Sequence, residues 1–281
     1  MARIESLNIL LTTTGKDYLA ELYGNVLDNV MATAISPLLK NDAPIGDFGA
    51  AGSCEFKRFE ITKPKPYGTA RAAGKGQSLK VDPVTVSRDT NRELIVEIEQ
   101  KDIAMYGVDG LMDRKGRQHV LSMTSDLDTA FFSKAVEEGT EFTPTAATLE
   151  DQVEEAIVEL ESTKNDFVDG VPRDIISVVC NPKTYSAIRT YLQKSTRQNR
   201  VTGLEDQFDD FNGAACYKST HLPDGINFVV LVTGSIAQPI YVNQPYKAEN
   251  IPLSDAKAIS MFYYYGTKAV MPDLILYVSG E

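Results

Sequence analysis

The sequence predicts an α+β protein, and three observations carry that prediction. Strand-like runs of alternating or continuous β-branched residues sit towards both ends of the chain. Apolar positions recur at helical spacing through the middle, between Asp113 and Leu192. A short apolar run, DIISVVC, leads straight into Asn181-Pro182, the residue types that open a helix. A chain of 281 residues with 43% hydrophobic content is long and apolar enough to bury a core.

From the N-terminus, Tyr18, Leu19, Leu22, Val26, Leu27, Val30 and Met31 form an i, i+3, i+4, i+7 stripe, predicting one amphipathic helix that Pro37 ends. The flanks, LLTTTG and KNDAPIGDFGAAGS, read as irregular chain. From Cys54 to Lys101, CEFKRFEIT, LKVDPVTVS and RELIVEIEQ read as strands of a long hairpin. Its middle, KPKPYGTARAAGKGQS, is too polar and glycine-rich to build a core. Between Asp113 and Glu138, the positions Val120, Met123, Leu127, Phe131 and Ala135 predict a long helix, with Gly139 as a left-handed stop. Thr148 with Asp151 forms a capping box for a second helix, with Leu149, Val153, Ile157 and Leu160 inward and acids around the rest.

The DIISVVC run then predicts a buried strand, and Tyr185, Ile188 and Leu192 the inner face of the helix that follows. KSTRQNRVTGLEDQFDDF reads as an exposed loop. AACYKS, the turn LPDG and NFVVLVT give two more strands, and PIYVNQPYKAENI, AKAISMFYYYG and KAVMPDLILYVS close the chain as extended runs.

Composition narrows the function. A net charge of -11 argues against a binder that neutralises phosphates with Lys and Arg. Cys54, Cys180 and Cys216 lack the pairing of a zinc or redox site, so they read as reduced thiols. No apolar run is long enough to span a bilayer, so no membrane partner is expected, and folding is expected in a cytoplasm. His119 and His221 stand apart, with no second ligand at metal spacing. GKGQS and FGAAG lack the spacing of a phosphate-binding loop. The sequence thus predicts no catalytic residues, no metal and no cofactor. Tyr263, Tyr264 and Tyr265 read as strand packing and interface.

Charge is also segregated. The hairpin is basic, through Lys57, Arg58, Lys63, Lys65, Arg71, Lys75 and Lys80. The stretch from Glu137 to Asp169 is acidic, with Glu150, Asp151, Glu154, Glu155 and Glu159 on its second helix. Such patches either stay solvated or meet across a boundary between copies, where they set register and rate more than affinity. The first segment, 1–53, and the hairpin, 54–101, read as unable to close a core of their own, so their partners are expected to be other copies of the chain.

VPRDIISVVCNPKTYSAIRTYL resembles a segment of major capsid proteins of the Hong Kong 97 type, in which a buried strand enters an Asn-Pro-capped helix. FNGAACYKSTHLPDGINFVVLV is similar to that family's strand, Pro-Gly turn and returning strand, and DAKAISMFYYYGTKAVMPDLILYVSG to its closing strands. The resemblance implies an N-arm over 1–53, an E-loop over 54–101, a P-domain with spine helix over 102–147, an A-domain over 148–239 and shared closing strands over 240–281. It implies a non-enzymatic subunit of a tailed-phage virion that joins itself in hexamers and pentamers around double-stranded DNA, enclosed non-specifically. Assembly in the host cytoplasm, with separate scaffolding and portal proteins, follows from the same likeness. Some such shells weld Lys to Asn between copies; Lys75 or Lys80 with Asn243 or Asn250 have the residue types. An encapsulin-like compartment of the same fold, or a soluble α/β enzyme, are the competing expectations.

Overall fold

The structure, a computed structural model, describes residues 6–64, 66–67, 80–194 and 210–280; the side chains of 104–106, 194 and 243–245 are not described. After a 3-10 turn over Leu7–Leu11 come α1 (Thr13–Thr33), α2 (Ser36–Leu39) and α3 (Phe48–Ala51). Strands β1 (Ser53–Phe59), β2 (Val81–Ser87) and β3 (Thr90–Ile98) precede the long helix α4 (Ile103–Glu138). The short β4 (Thr140–Glu141), α5 (Leu149–Ser162), β5 (Ile176–Cys180) and α6 (Pro182–Lys194) follow. The rest is strand: β6 (Asp210–Phe211), β7 (Ala214–Lys218), β8 (Ile226–Val232), β9 (Ile236–Ala237), β10 (Ile240–Asn250), β11 (Lys257–Tyr265), β12 (Lys268–Ala269) and β13 (Ile275–Ser279).

A six-stranded sheet in the order β4-β13-β8-β5-β7-β6 organises one half. Strand β5 runs antiparallel to β8 and parallel to β7, and all five of its residues are buried. That is the burial a continuous apolar run demands, since a strand covered on both faces has no polar side to show. Alternation divides its side chains: Ile176, Val178 and Cys180 join Val153, Ile157 and Leu160 of α5 and Ile188 of α6. Val179 faces the other way, into a core with Phe131, Phe132 and Ala135 of α4. Asn181 caps α6 as expected, its Oδ1 accepting from the Thr184 amide at 2.8 Å. Thr148 caps α5, and its hydroxyl donates to Asp151 at 2.8 Å.

The other half is built on the antiparallel sheet β10-β11-β3. Here the sequence expectations are corrected in several places. The first segment does close a core within its own chain: Leu7, Leu10, Leu19, Leu22, Val26 and Val30 are buried with Val108, Met112 and Met123 of α4 and Ile259 and Met261 of β11. LLTTTG is not irregular either, because Leu7–Leu11 forms the 3-10 turn and Thr12 caps α1 through the Gly15 amide. Helix α1 lies close on α4 because Gly116 stands at the contact: a Cβ there would sit 3.3 Å from Leu22 Cδ1 and 3.4 Å from Val26 Cγ2.

The hairpin expectation is also corrected. Strands β1 and β2 pair antiparallel, but β3 leaves them and takes the edge of β11, with Met261 opposite Leu94. The hairpin root is fastened to its own chain as well, through Cys54, Phe56 and Val86 packed with Phe48, Ala237 and Val270. Finally, α4 begins ten residues before Asp113, at Ile103, with one non-helical glycine, Gly107 at φ 71°. Gly139, which follows it, is extended and not left-handed. Glycine stands there for space, since a Cβ would lie 2.3 Å from the Ala135 carbonyl oxygen and 2.9 Å from the Ile275 side chain.

Candidate inter-subunit surfaces

The basic hairpin residues do not share one environment. Lys57 is exposed on β1 and has no acidic partner among the described residues. Arg58 turns inward: its Nη2 lies 2.6 Å from Asp273 Oδ2 and its guanidinium 4.3 Å from the Phe167 ring centre. Asn165 also donates to Asp273, and the Ile61 amide donates to the Asp166 carbonyl at 2.9 Å, so the outer part of the β1–β2 ribbon is tied to the loop after α5. Lys63 is exposed, and Lys80 sits 3.8 Å from Glu60. Lys65, Arg71 and Lys75 lie outside the described residues.

The acidic helix is likewise divided. Glu154 and Glu161 flank Arg173, which donates to Glu154 at 2.8 Å and to both oxygens of Glu161 at 2.8 Å. Those bonds hold the Glu161 carboxyl below the usual carboxylate range. Glu155 reaches back along the chain and accepts from the Thr145 hydroxyl and the Thr145 and Ala146 amides, which lowers its pKa in the same way. Asp151 is taken up in the helix cap. Glu150 and Glu159 keep carboxylates with no partner among the described residues, and Glu159 is exposed.

The residues weighed for chemistry fall into structural roles. His119 is buried, its Nδ1 2.6 Å from the Tyr246 hydroxyl. His221 lies 3.4 Å from the Ser125 hydroxyl. All three cysteines are free and buried, and burial pushes the Cys180 thiol up. Among the described residues no cluster of His, Cys, Asp or Glu could hold a metal. No helix there is long and apolar enough to cross a membrane. Of the residues weighed for a Lys–Asn weld, Lys75 and the Asn243 side chain lie outside the described set, and Asn250 accepts from Lys257 Nζ at 2.6 Å.

Sequence reasoning missed a polar corner where α3, the β2–β3 turn, β10 and β11 meet. Gly49, Arg88, Asn91, Tyr241 and Tyr264 line a cavity of about 420 Å³ there. The Arg88 guanidinium lies 5.6 Å from the Tyr241 ring centre and 5.2 Å from that of Tyr264. The only sequence signal was an arginine in the turn VSRDTN between two strand runs.

No family model and no curated protein matches the sequence. Solved structures do. Mycobacterium phage Che8 aligns with a TM-score of 0.63 at 18% identity, covering 87% of this chain and 95% of that one. The capsid structure of cyanophage P-SCSP1u aligns at 0.66 and 13% identity, over 89% and 88%. A virus-like particle from Pyrococcus furiosus aligns at 0.53 and 12% identity, over 94% and 98%. The fold of this chain is therefore that of Hong Kong 97-type capsid proteins.

Proposed function

We propose that this chain, having the Hong Kong 97-type fold, is the major capsid protein of a tailed bacteriophage, a subunit that associates with copies of itself into the virion shell. One observation carries the reading: the likeness to phage capsid structures runs through nearly the whole chain and through most of the other chain as well. Closed shells suit such a subunit physically, because modest contacts become collectively strong once rings close. In this reading 1–53 is the N-arm, 54–101 the E-loop, 102–147 the P-domain, 148–239 the A-domain and 240–281 the closing strands. Hexamers and pentamers enclose double-stranded DNA without gripping it, as the charge of -11 favours. Separate scaffolding and portal proteins complete assembly in the host cytoplasm. No enzymatic step is assigned. The exposed hairpin cations Lys57, Lys63 and Lys80 then face acids of the next copy.

Electron microscopy of the full chain expressed with its neighbouring structural genes tests the proposal, together with the nucleic-acid content of the particles. Icosahedral shells holding DNA are expected. A second reading, a compartment that holds protein cargo, draws on the likeness to the Pyrococcus furiosus particle. Shells devoid of nucleic acid in the infected host would favour it. A chain that stays monomeric with all its partners present would overturn both.

A further inference from the structure

We infer that the corner around Arg88 is a receptor for a carboxylate side chain of a second copy of this chain. The inference rests on the shell reading and goes beyond it by naming the surface. Arg88 is half-buried, and among the described residues its one side-chain hydrogen bond goes to the Gly49 carbonyl at 3.3 Å. No carboxylate of the described chain lies within 4 Å of it, so the guanidinium keeps most of its donors unused. Tyr264 and Asn91 line the same cavity, and their side chains make no hydrogen bond among the described residues.

The corner is built to hold its cation still. The Arg88 amide donates to the Gly52 carbonyl at 2.8 Å, fixing the backbone below the side chain. Tyr241 and Tyr264, cross-strand partners on β10 and β11, flank the guanidinium. An aromatic surround attracts the charge and limits the planes the fork can take, which pre-pays part of the ordering cost of a bidentate contact. A half-buried cation without a counter-charge has already lost hydration, and an incoming carboxylate returns that loss as two charge-assisted hydrogen bonds. A polar cavity with donors on its walls and no acid among them selects an anion over an apolar or cationic group.

The occupant follows from the charge of the molecule. Asp and Glu number 39 against 28 Lys and Arg, so in a shell each copy faces neighbours rich in carboxylates. Glu150 and Glu159 on α5 are the natural occupants, since their carboxylates have no partner among the described residues while Glu154, Glu155 and Glu161 are fastened within the chain. Backbone phosphate of enclosed DNA is the competing anion, and the acidic balance disfavours its approach.

The test uses assembled particles of an Arg88→Lys variant, made from a mixture of isotopically heavy and light full-length chains. The variant places an amine at the cavity, and a water-soluble carbodiimide joins it to a touching carboxylate as an amide, the carbodiimide leaving as its urea. Mass spectrometry should find mixed heavy–light peptides joining position 88 to α5. Links from position 88 that are all within one chain, or none while other inter-copy links form, would overturn the inference. A second arm uses Arg88→Glu, expected to lower particle yield about tenfold with the thermal midpoint of the unassembled chain unchanged, and to recover when combined with Glu159→Lys or Glu150→Lys. If Arg88→Gln alters only the retained DNA, the ligand is phosphate and the carboxylate assignment falls. Absence of particles and of every inter-copy link would sink the shell reading, and this inference with it.

Discussion

Asp126 ties α4 to two strands of the β10-β11-β3 sheet. It projects from α4 and accepts from Arg92 of β3 at 3.0 and 3.2 Å, and from the hydroxyls of Tyr263 and Tyr265 of β11 at 3.0 Å each. Burial, reinforced by Asp126, pushes the Tyr265 phenol up to about 12, so the hydroxyl stays a donor at any working pH. Asp126→Ala strands the Arg92 guanidinium and two tyrosine hydroxyls at once, and the expected loss is about 2–3 kcal/mol in urea unfolding of the unassembled chain. His119 makes a different kind of link, through Tyr246 of β10, whose ring in turn stands edge-on to Tyr23 of α1. Burial, helped by Lys115 on the same helix, lowers the pKa of its imidazole. A histidine held neutral in the fold binds fewer protons than in the unfolded chain, so its stabilisation is complete above pH about 6.5 and is lost as pH falls towards the depressed folded value. Stability should therefore drop between pH 7 and 5, and His119→Gln should flatten that slope in a pH series of denaturation midpoints.

At the scale of elements, α1 is the clearest case for an intramolecular role. Leu19, Leu22, Val26 and Val30 of its stripe are buried within the chain, Val26 and Val30 at 2% and 1% exposure, while Met31 at its end is exposed. Val26→Asp places a charge there with no partner and should destabilise the unassembled chain by about 3 kcal/mol or more. Unchanged monomer stability with lost assembly would instead mean that the helix matters only between copies. The α1 stripe, the Thr148 cap and the Asn181-Pro182 start were all legible in the sequence, because each depends on residues within a turn or two. What the stripe packs against was not: Leu22 and Val26 meet Gly116, some ninety residues on. The departure of β3 from its hairpin was hidden for the same reason, since its partner β11 lies far along the chain and its alternation suits either sheet. At Gly139 the residue type was read for backbone freedom when the neighbouring Ile275 required only its lack of a side chain. The Arg88 corner draws on four elements that no local pattern unites.

Across the whole molecule, α4 ties the parts together. Beyond the break at Gly107, its run from Val108 to Glu138 rises about 46 Å. Its Met112 and Met123 belong to the core with α1, and its Phe131 and Phe132 to the core beneath the six-stranded sheet. The β1–β2 ribbon is held to this arrangement at its root and through Arg58, which pairs with Asp273. It is a sheet of two strands, its root packs on Phe48 and Ala237, and farther out Lys57, Phe59, Val81 and Asp82 are exposed. A two-stranded ribbon is marginal in water unless something covers it. Phe59 is 56% exposed and Val81 37%, which leaves apolar surface at the paired end of the ribbon for another body to cover. Hydrogen exchange can measure this directly. In the unassembled chain, amides of β5 and β8 should exchange slowest and those of Lys57, Phe59 and Val81 among the fastest, because local opening of the ribbon disturbs little buried area. In assembled shells, cover by a neighbour worth about 1.4 kcal/mol of added local stability slows the ribbon amides about tenfold, while β5 and β8 change little. Equal ribbon protection before and after assembly would show that the hairpin gains nothing from its neighbours and that the contacts between copies lie elsewhere.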